Sequence, residues 1–211
     1  MVDPLKTWEV LFQRARVLID DVHSRGVSVD DWTFGGGTVL MRRHNHRLSK
    51  DIDIFVNDPQ CLGYVTPRLS QAAEDLTKDY AEAHLFVKLR FPEGEIDFVA
   101  APPLTQESAA TETLFGRPFL VETSTEIVAK KVWHRADHFT SRDIFDLAMV
   151  AEREPQALHE IAPILRDRRE TILAVIENKK AFLRESFNEL AILDYKRTFE
   201  ECVEIVTKTL G

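Results

Sequence analysis

The sequence predicts an α/β (α+β) protein, with a small mixed sheet in residues 1–123 and a helical C-terminal region in residues 124–211. Three observations carry that expectation. Trp32 to Phe55 reads strand, glycine turn, helix, strand: a short apolar run (Trp32, Thr33, Phe34), then Gly35-Gly36-Gly37, the helix-compatible TVLMRRH, and the alternating DIDIF. HLFVKLRF and EIDFVAA, joined by Pro92-Glu93-Gly94, carry the β-branched and aromatic pattern of a hairpin with a turn-forming joint. From Ser124 onward the apolar residues recur at helical spacing almost to the end of the chain.

Taken in order, Pro4 to Arg25 places Trp8, Leu11, Phe12, Ala15, Leu18, Ile19 and Val22 on one stripe of an amphipathic helix that Gly26 ends. Its expected role is to cover one face of the sheet. Pro67 to Ala83 reads as a second helix, with Leu69, Ala72, Ala73, Leu76 and Tyr80 on one side. LTQESAATET (104–113) is polar and reads as a loop, and TLFGRPFLVET as a hairpin-like piece around Gly116-Arg117-Pro118. Ser124/Thr125 starts the helix of EIVAKKVWHRAD, and Thr140 with Asp143 three residues on has the form of a capping box. Helices are then expected over 155–165, 170–184 and 189–210.

Composition narrows the setting. A chain of 211 residues buries about 70% of its unfolded surface and needs no staples. Cys61 and Cys202 are far apart and show no metal or redox spacing, which fits a reducing compartment. MVDPLKTWEV has neither an apolar signal core nor a basic leader, and no apolar run approaches the roughly 20 residues of a membrane span. A cytoplasmic protein is expected. The formal net charge of −8 argues against indiscriminate DNA binding, which needs many phosphate neutralisations.

The 32–55 stretch suits phosphate binding. Glycines let a triphosphate approach the backbone, and the following helix turns its free N–H groups and positive end toward the anion. Gly36, Gly37 and Thr38 are the candidate cradle. Asp51 and Asp53, two apart on a strand, share a face while Ile52 and Ile54 point inward. Two carboxylates beside a phosphate cradle suggest Mg²⁺ (or Mn²⁺), an ion held by one or two carboxylates plus substrate phosphate oxygens. Between them, Arg42, Arg43, His44, His46, Arg47 and Lys50 form a basic run. Such runs are commonly a solvated face, but here the cations, Arg42 among them, are placed to reach triphosphate or nucleic-acid oxygens. The two histidines have no further ligand at a zinc spacing. On the later strand Asp97 is the candidate third carboxylate, with Glu95 on the same face as the alternative and plain solvent exposure as the ordinary reading.

Gly36-Gly37-Thr38, Asp51-x-Asp53 and the stretch EIVAKKVWHRADHFTSRDIFDL together resemble the polymerase-β-like nucleotidyltransferases, specifically the AbiEii/MenA-type toxins of type IV toxin–antitoxin systems. The resemblance runs from about Trp32 to the final helix. It implies a polymerase-β-like core, a third acid on a neighbouring strand completing the metal site, and a Lys and the Asp of RDxxDL pointing back to the active site. Lys131 and Asp143 occupy those places, with Lys130 and Asp146 as neighbouring alternatives; without the resemblance, Asp143 merely caps and Lys131 merely solvates.

The expected function is therefore Mg²⁺-dependent nucleotidyl transfer in a cleft between the two regions. Asp51, Asp53 and Asp97 hold metal, the glycine turn cradles an NTP, Lys131 neutralises developing charge, and Asp143 is a general base or orients Lys131. The resembled branch includes enzymes that extend tRNA acceptor ends, so a tRNA 3′ end is the expected acceptor and an antitoxin the expected protein partner. A small-molecule nucleotidyltransferase, a kinase-like phosphotransferase and a non-catalytic nucleotide-binding module are the alternatives.

Overall fold

The computed structural model describes residues 4–211 and divides the chain between two units. One takes the residues up to Val39, Ser49–Pro103 and Ala109–Glu122; the other takes Leu40–Leu48, Leu104–Ser108 and Thr123–Gly211. The first three residues of the stretch read as leader-free lie outside the described residues. No helix among the described residues is long and apolar enough to cross a membrane.

In the first unit a seven-stranded mixed sheet runs through the described residues. Its strands are β1 (Thr33–Gly35), β2 (Ile52–Val56), β3 (Tyr80–Ala83), β4 (Phe86–Phe91), β5 (Gly94–Ala100), β6 (Ala109–Leu114) and β7 (Arg117–Glu122), in the order β3-β4-β5-β2-β1-β7-β6. The β2–β5 and β1–β7 pairs are parallel and the others antiparallel. The alternation read from DIDIF is present, with Ile52, Ile54 and Val56 buried and Asp53 on the opposite face. Helix α1 (Thr7–Ser24) buries the stripe from Trp8 to Val22. Its aromatic residues seat on the sheet, Phe12 against Phe34 with ring centroids 5.0 Å apart and Trp8 against Phe34 at 6.2 Å.

Two elements of the first unit differ from expectation. Gly36–His44 forms helix α2, but residues 67–83 are not one helix: Ser70 caps only the short α3 (Gln71–Leu76), after which Tyr80–Ala83 pairs with β4. Of the expected stripe only Ala73 is fully buried while Leu69 stays 59% exposed, so little burial favoured continuing the helix and the open edge of β4 took the segment instead. Likewise Ala109–Thr113, expected as loop, is most of β6. Its polarity is that of an edge strand, and the two-residue turn Phe115-Gly116, with φ of 50° and 77°, returns the chain into β7.

The second unit is helical. It contains α4 (Ser124–Arg135), capped by Thr123, and α5 (Ser141–Arg153), whose capping box between Thr140 and Asp143 is the one read from the sequence. Then follow α6 (Ala157–Glu160), α7 (Ala162–Asn178), α8 (Lys180–Asn188) and α9 (Phe199–Leu210). The helix expected from Glu189 starts only at Phe199, behind a Thr198/Glu201 capping box. The residues before it pair with the chain that leaves α2: Leu193 N–H donates to His46 O and Leu48 N–H to Ala191 O, each at 2.8–2.9 Å. Those backbone groups would otherwise lack partners, which is why this stretch stays extended.

Candidate active site

The first unit assembles a row of charged side chains by strand register alone. Helix α2 (Gly36–His44) begins directly after β1, so the turn is made by glycine with no intervening loop. Gly36 has φ +73°, and a Cβ there would stand 1.9 Å from Asp53 Oδ2. Only glycine allows both the left-handed backbone and the close approach of that carboxylate. Across the ladder Gly35 faces Asp53, Asp53 faces Asp97, and Asp97 faces Lys88, so these positions lie side by side on β1, β2, β5 and β4. Asp51, just ahead of β2, accepts the Glu95 N–H through Oδ1 at 3.0 Å. Asp53, Glu95 and Asp97 therefore share one face of the sheet, and Asp51 lies beside Glu95.

Two members of this row were not singled out from sequence. Lys88 donates to Glu95 Oε2 at 2.6 Å and to Asp97 Oδ2 at 2.7 Å. Glu122, at the end of β7, is 1% exposed, accepts the Thr33 hydroxyl at 3.1 Å, and lies over Gly35, whose Cβ would meet Glu122 Oε2 at 2.1 Å. Lys88 looks like an ordinary polar position in VKLR and Glu122 like a strand end. Only the order of strands, which spacing does not encode, makes them neighbours of the acidic pair.

The electrostatics follow from the crowding. Burial pushes the Asp97 carboxyl above its ordinary value even against the Lys88 ammonium, and Glu95 and Asp51 add to the rise. Burial alone would lower Lys88, but Asp97 and Glu95 more than reverse it and keep the ammonium charged. Thr38 is fully buried; its hydroxyl donates to the Asp51 carbonyl at 2.6 Å and lies 3.0 Å from Ser49 Oγ. What Thr38 and Gly37 offer an anion is thus their backbone N–H at the start of α2.

No three His, Cys, Asp or Glu side chains among the described residues form a ready-made ligand cluster. Asp51 Oδ1 is taken by the Glu95 N–H and Asp97 Oδ2 by the Lys88 ammonium. The donors nevertheless suit a hard cation: they are all carboxylate oxygens, Asp53 and Asp97 are adjacent in register, and Asp97 Oδ1 is buried with no hydrogen-bond partner among the described residues.

In the second unit Lys131 is set between two carboxylates that are both fully buried, 2.8 Å from Asp143 Oδ1 and 3.2 Å from Asp146 Oδ2. Asp143 Oδ2 also takes the Thr140 N–H and hydroxyl, so capping and pairing are done by one side chain. Against burial, which by itself would raise it, Lys131 and Arg135 hold Asp143 below the ordinary aspartate value. Asp146 receives Arg47 Nε and Nη2 at 2.7 and 2.8 Å and His46 Nε2 at 2.8 Å. Arg47, read as part of a basic approach, is therefore corrected: it is 4% exposed and committed to Asp146. Arg42 is half-buried on α2, and Arg43 and Lys50 are exposed. Lys130 is buried, 3.5 Å from Glu126, whose carboxylate takes the Leu104 and Thr105 N–H groups.

A model of the nucleotidyl transferase AbiEii toxin, type IV TA system, matches residues 19–208. Two solved structures share the fold. A candidate nucleotidyltransferase from H. pylori superposes with a TM-score of 0.53 at 13% identity, over 94% of this chain and 90% of that one. JHP933 from Helicobacter pylori gives 0.51 at 14% identity, over 94% and 88%. No protein of curated function matches the sequence.

Proposed function

The chain belongs to the AbiEii family of nucleotidyltransferase toxins from type IV toxin–antitoxin systems, and on that premise we propose that it moves a nucleoside monophosphate from an NTP to an RNA acceptor, a tRNA 3′ end, with Mg²⁺ or Mn²⁺. The observation that carries this reading is the adjacency of Asp53 and Asp97 in register beside the Gly36 turn. The N–H groups opening α2 bind triphosphate oxygens, and Asp53, Asp97 and Asp51 would hold the metal. Bound there, the ion would stabilise charge on the pyrophosphate leaving group and lower the pKa of the attacking hydroxyl.

Lys131 supplies the cation for charge developing on the phosphates. Asp143 is the residue that orients it. A carboxylate held below its ordinary value, with one oxygen on Lys131 and the other on the Thr140 cap, is a poor proton acceptor near neutral pH. That favours the orienting role over the general-base role. The exposed Arg43 and Lys50 on a chain of formal charge −8 support local rather than extended RNA contact. An antitoxin encoded with the toxin is the protein partner this family implies.

The test is incubation of purified protein with Mg²⁺, each labelled NTP in turn, and total tRNA. Label in the RNA band that disappears with Asp53→Asn supports the proposal. Label in the protein, in a partner protein or in a small molecule removes the RNA acceptor and leaves the nucleotide site standing.

A further inference from the structure

Lys88 places a positive charge inside the carboxylate row. Its strand position directly opposite Asp97 is fixed by the β4–β5 ladder, and its ammonium bridges Glu95 Oε2 and Asp97 Oδ2 at 2.6 and 2.7 Å. The side chain is 26% exposed, so it is neither sealed in nor solvated like a surface lysine. The other Asp97 oxygen is buried and without a hydrogen-bond partner among the described residues. Asp97 is thus divided: one oxygen held by an ammonium, the other unclaimed.

We propose that Lys88 is a built-in counter-cation that positions Asp97 and competes with a divalent ion for it. The inference rests on the metal reading of the preceding section and adds a residue to it. An ammonium within hydrogen-bond distance of one oxygen of a carboxylate repels a cation approaching the other. In the free protein Lys88 therefore relieves the repulsion among Asp51, Asp53, Glu95 and Asp97 and keeps the metal affinity low. Phosphate oxygens of an incoming nucleotide supply the missing ligands, so that ion and nucleotide load together and Lys88 yields Asp97 Oδ2, keeping Glu95. Lys88 acts through Asp97 and is a positioning residue.

The experiment is titration of the nucleotide-free protein with Mn²⁺, followed by electron paramagnetic resonance of the unbound ion. Lys88→Met should bind Mn²⁺ roughly tenfold tighter than wild type, Lys88→Arg should stay near wild type, and adding Asp97→Asn to Lys88→Met should abolish the gain. Lys88→Gln, measured in parallel by thermal melting, should show a lower metal-free Tm and a larger Mn²⁺-induced rise than wild type. Unchanged or weaker Mn²⁺ binding by Lys88→Met and Lys88→Gln, with wild-type binding that is lost in Asp53→Asn, overturns the proposal and leaves the metal site intact. Absence of Mn²⁺ binding by wild type and variants, with or without NTP, overturns both.

Discussion

Gly36 and Asp53 are fitted to each other: the position a Gly36 Cβ would take lies 1.9 Å from Asp53 Oδ2 and 2.7 Å from its Cγ. The turn that opens α2 and the acid on β2 therefore constrain one another through missing volume. Gly36→Ala should meet two costs at once, a left-handed backbone on a residue with a Cβ and displacement of the carboxylate. We expect a loss of about 1–3 kcal/mol in stability by urea titration and loss of nucleotide transfer beyond what that destabilisation explains. Full activity in a folded Gly36→Ala protein would show that the carboxylate position is not critical.

Asp53→Asn separates chemistry from folding. The substitution is nearly isosteric and removes one negative charge from the face that carries Glu95 and Asp97, with Asp51 beside Glu95. Less repulsion should leave the Tm equal or higher while metal-dependent transfer is lost. Retained activity with a normal Tm would refute the assignment of Asp53 as a metal ligand.

The adjacent lysines should fail in different ways. Lys131 lies on Asp143 and Asp146, whereas Lys130 is 6% exposed beside Glu126, which anchors the backbone of Leu104 and Thr105. Lys131→Ala should reduce turnover about a hundredfold or more. Lys130→Ala should keep turnover within a few fold of wild type and cost about 1–3 kcal/mol through the buried Glu126 carboxylate it leaves behind. The reverse ranking of kcat would transfer the functional role to Lys130.

How far the sequence carried is set by which information is local. The α1 stripe, the DIDIF alternation, the 84–101 hairpin and the Thr140/Asp143 box are written in spacing of a few residues, and each is present. Lys131 and Asp143 meet because twelve residues of helix, cap and helix bring them together. What spacing could not show were long-range pairings. Tyr80–Ala83 became a strand because β4 had an edge to fill, and residues 191–194 pair with the chain leaving α2 instead of joining a helix. Lys88 and Glu122 join the acidic row only through the strand order β4-β5-β2-β1-β7. Arg47 reads in the sequence as part of a basic approach because its partner, Asp146, is 99 residues away.

The buried cluster around Asp146 predicts a stability that falls with pH in two steps. His46 is fully buried, stacked on Phe145 with ring centroids 5.8 Å apart, and its Nδ1 has no partner among the described residues, so the ring serves as a neutral donor through Nε2 to Asp146. Burial lowers His46 below its ordinary 6.5, with Asp146 opposing and Arg47 adding to the effect. Below pH 6.5 the unfolded chain takes up a proton that the native state resists, so the stabilisation is complete above that value and is lost as pH falls through the lower native one. Asp146 lies well below its ordinary 3.8, because Arg47 and Lys131 outweigh the burial that opposes ionisation, and its contribution is likewise present above 3.8 and lost beneath it. His134, lowered by burial, bends the curve in the same direction as His46, so the difference between variants is the decisive quantity. His46→Gln should flatten the decline below pH 6.5 and preserve the one below 3.8. Asp146→Asn should cost about 3–5 kcal/mol at neutral pH by leaving Arg47 and Lys131 short of a carboxylate and should make the acid decline shallower, with Asp143, also held below its ordinary value, carrying part of what is left. Urea titrations of the three proteins from pH 8 to pH 3 read these slopes directly. A His46→Gln curve parallel to wild type between pH 7 and 5 would mean that His46 does not stay neutral in the folded protein.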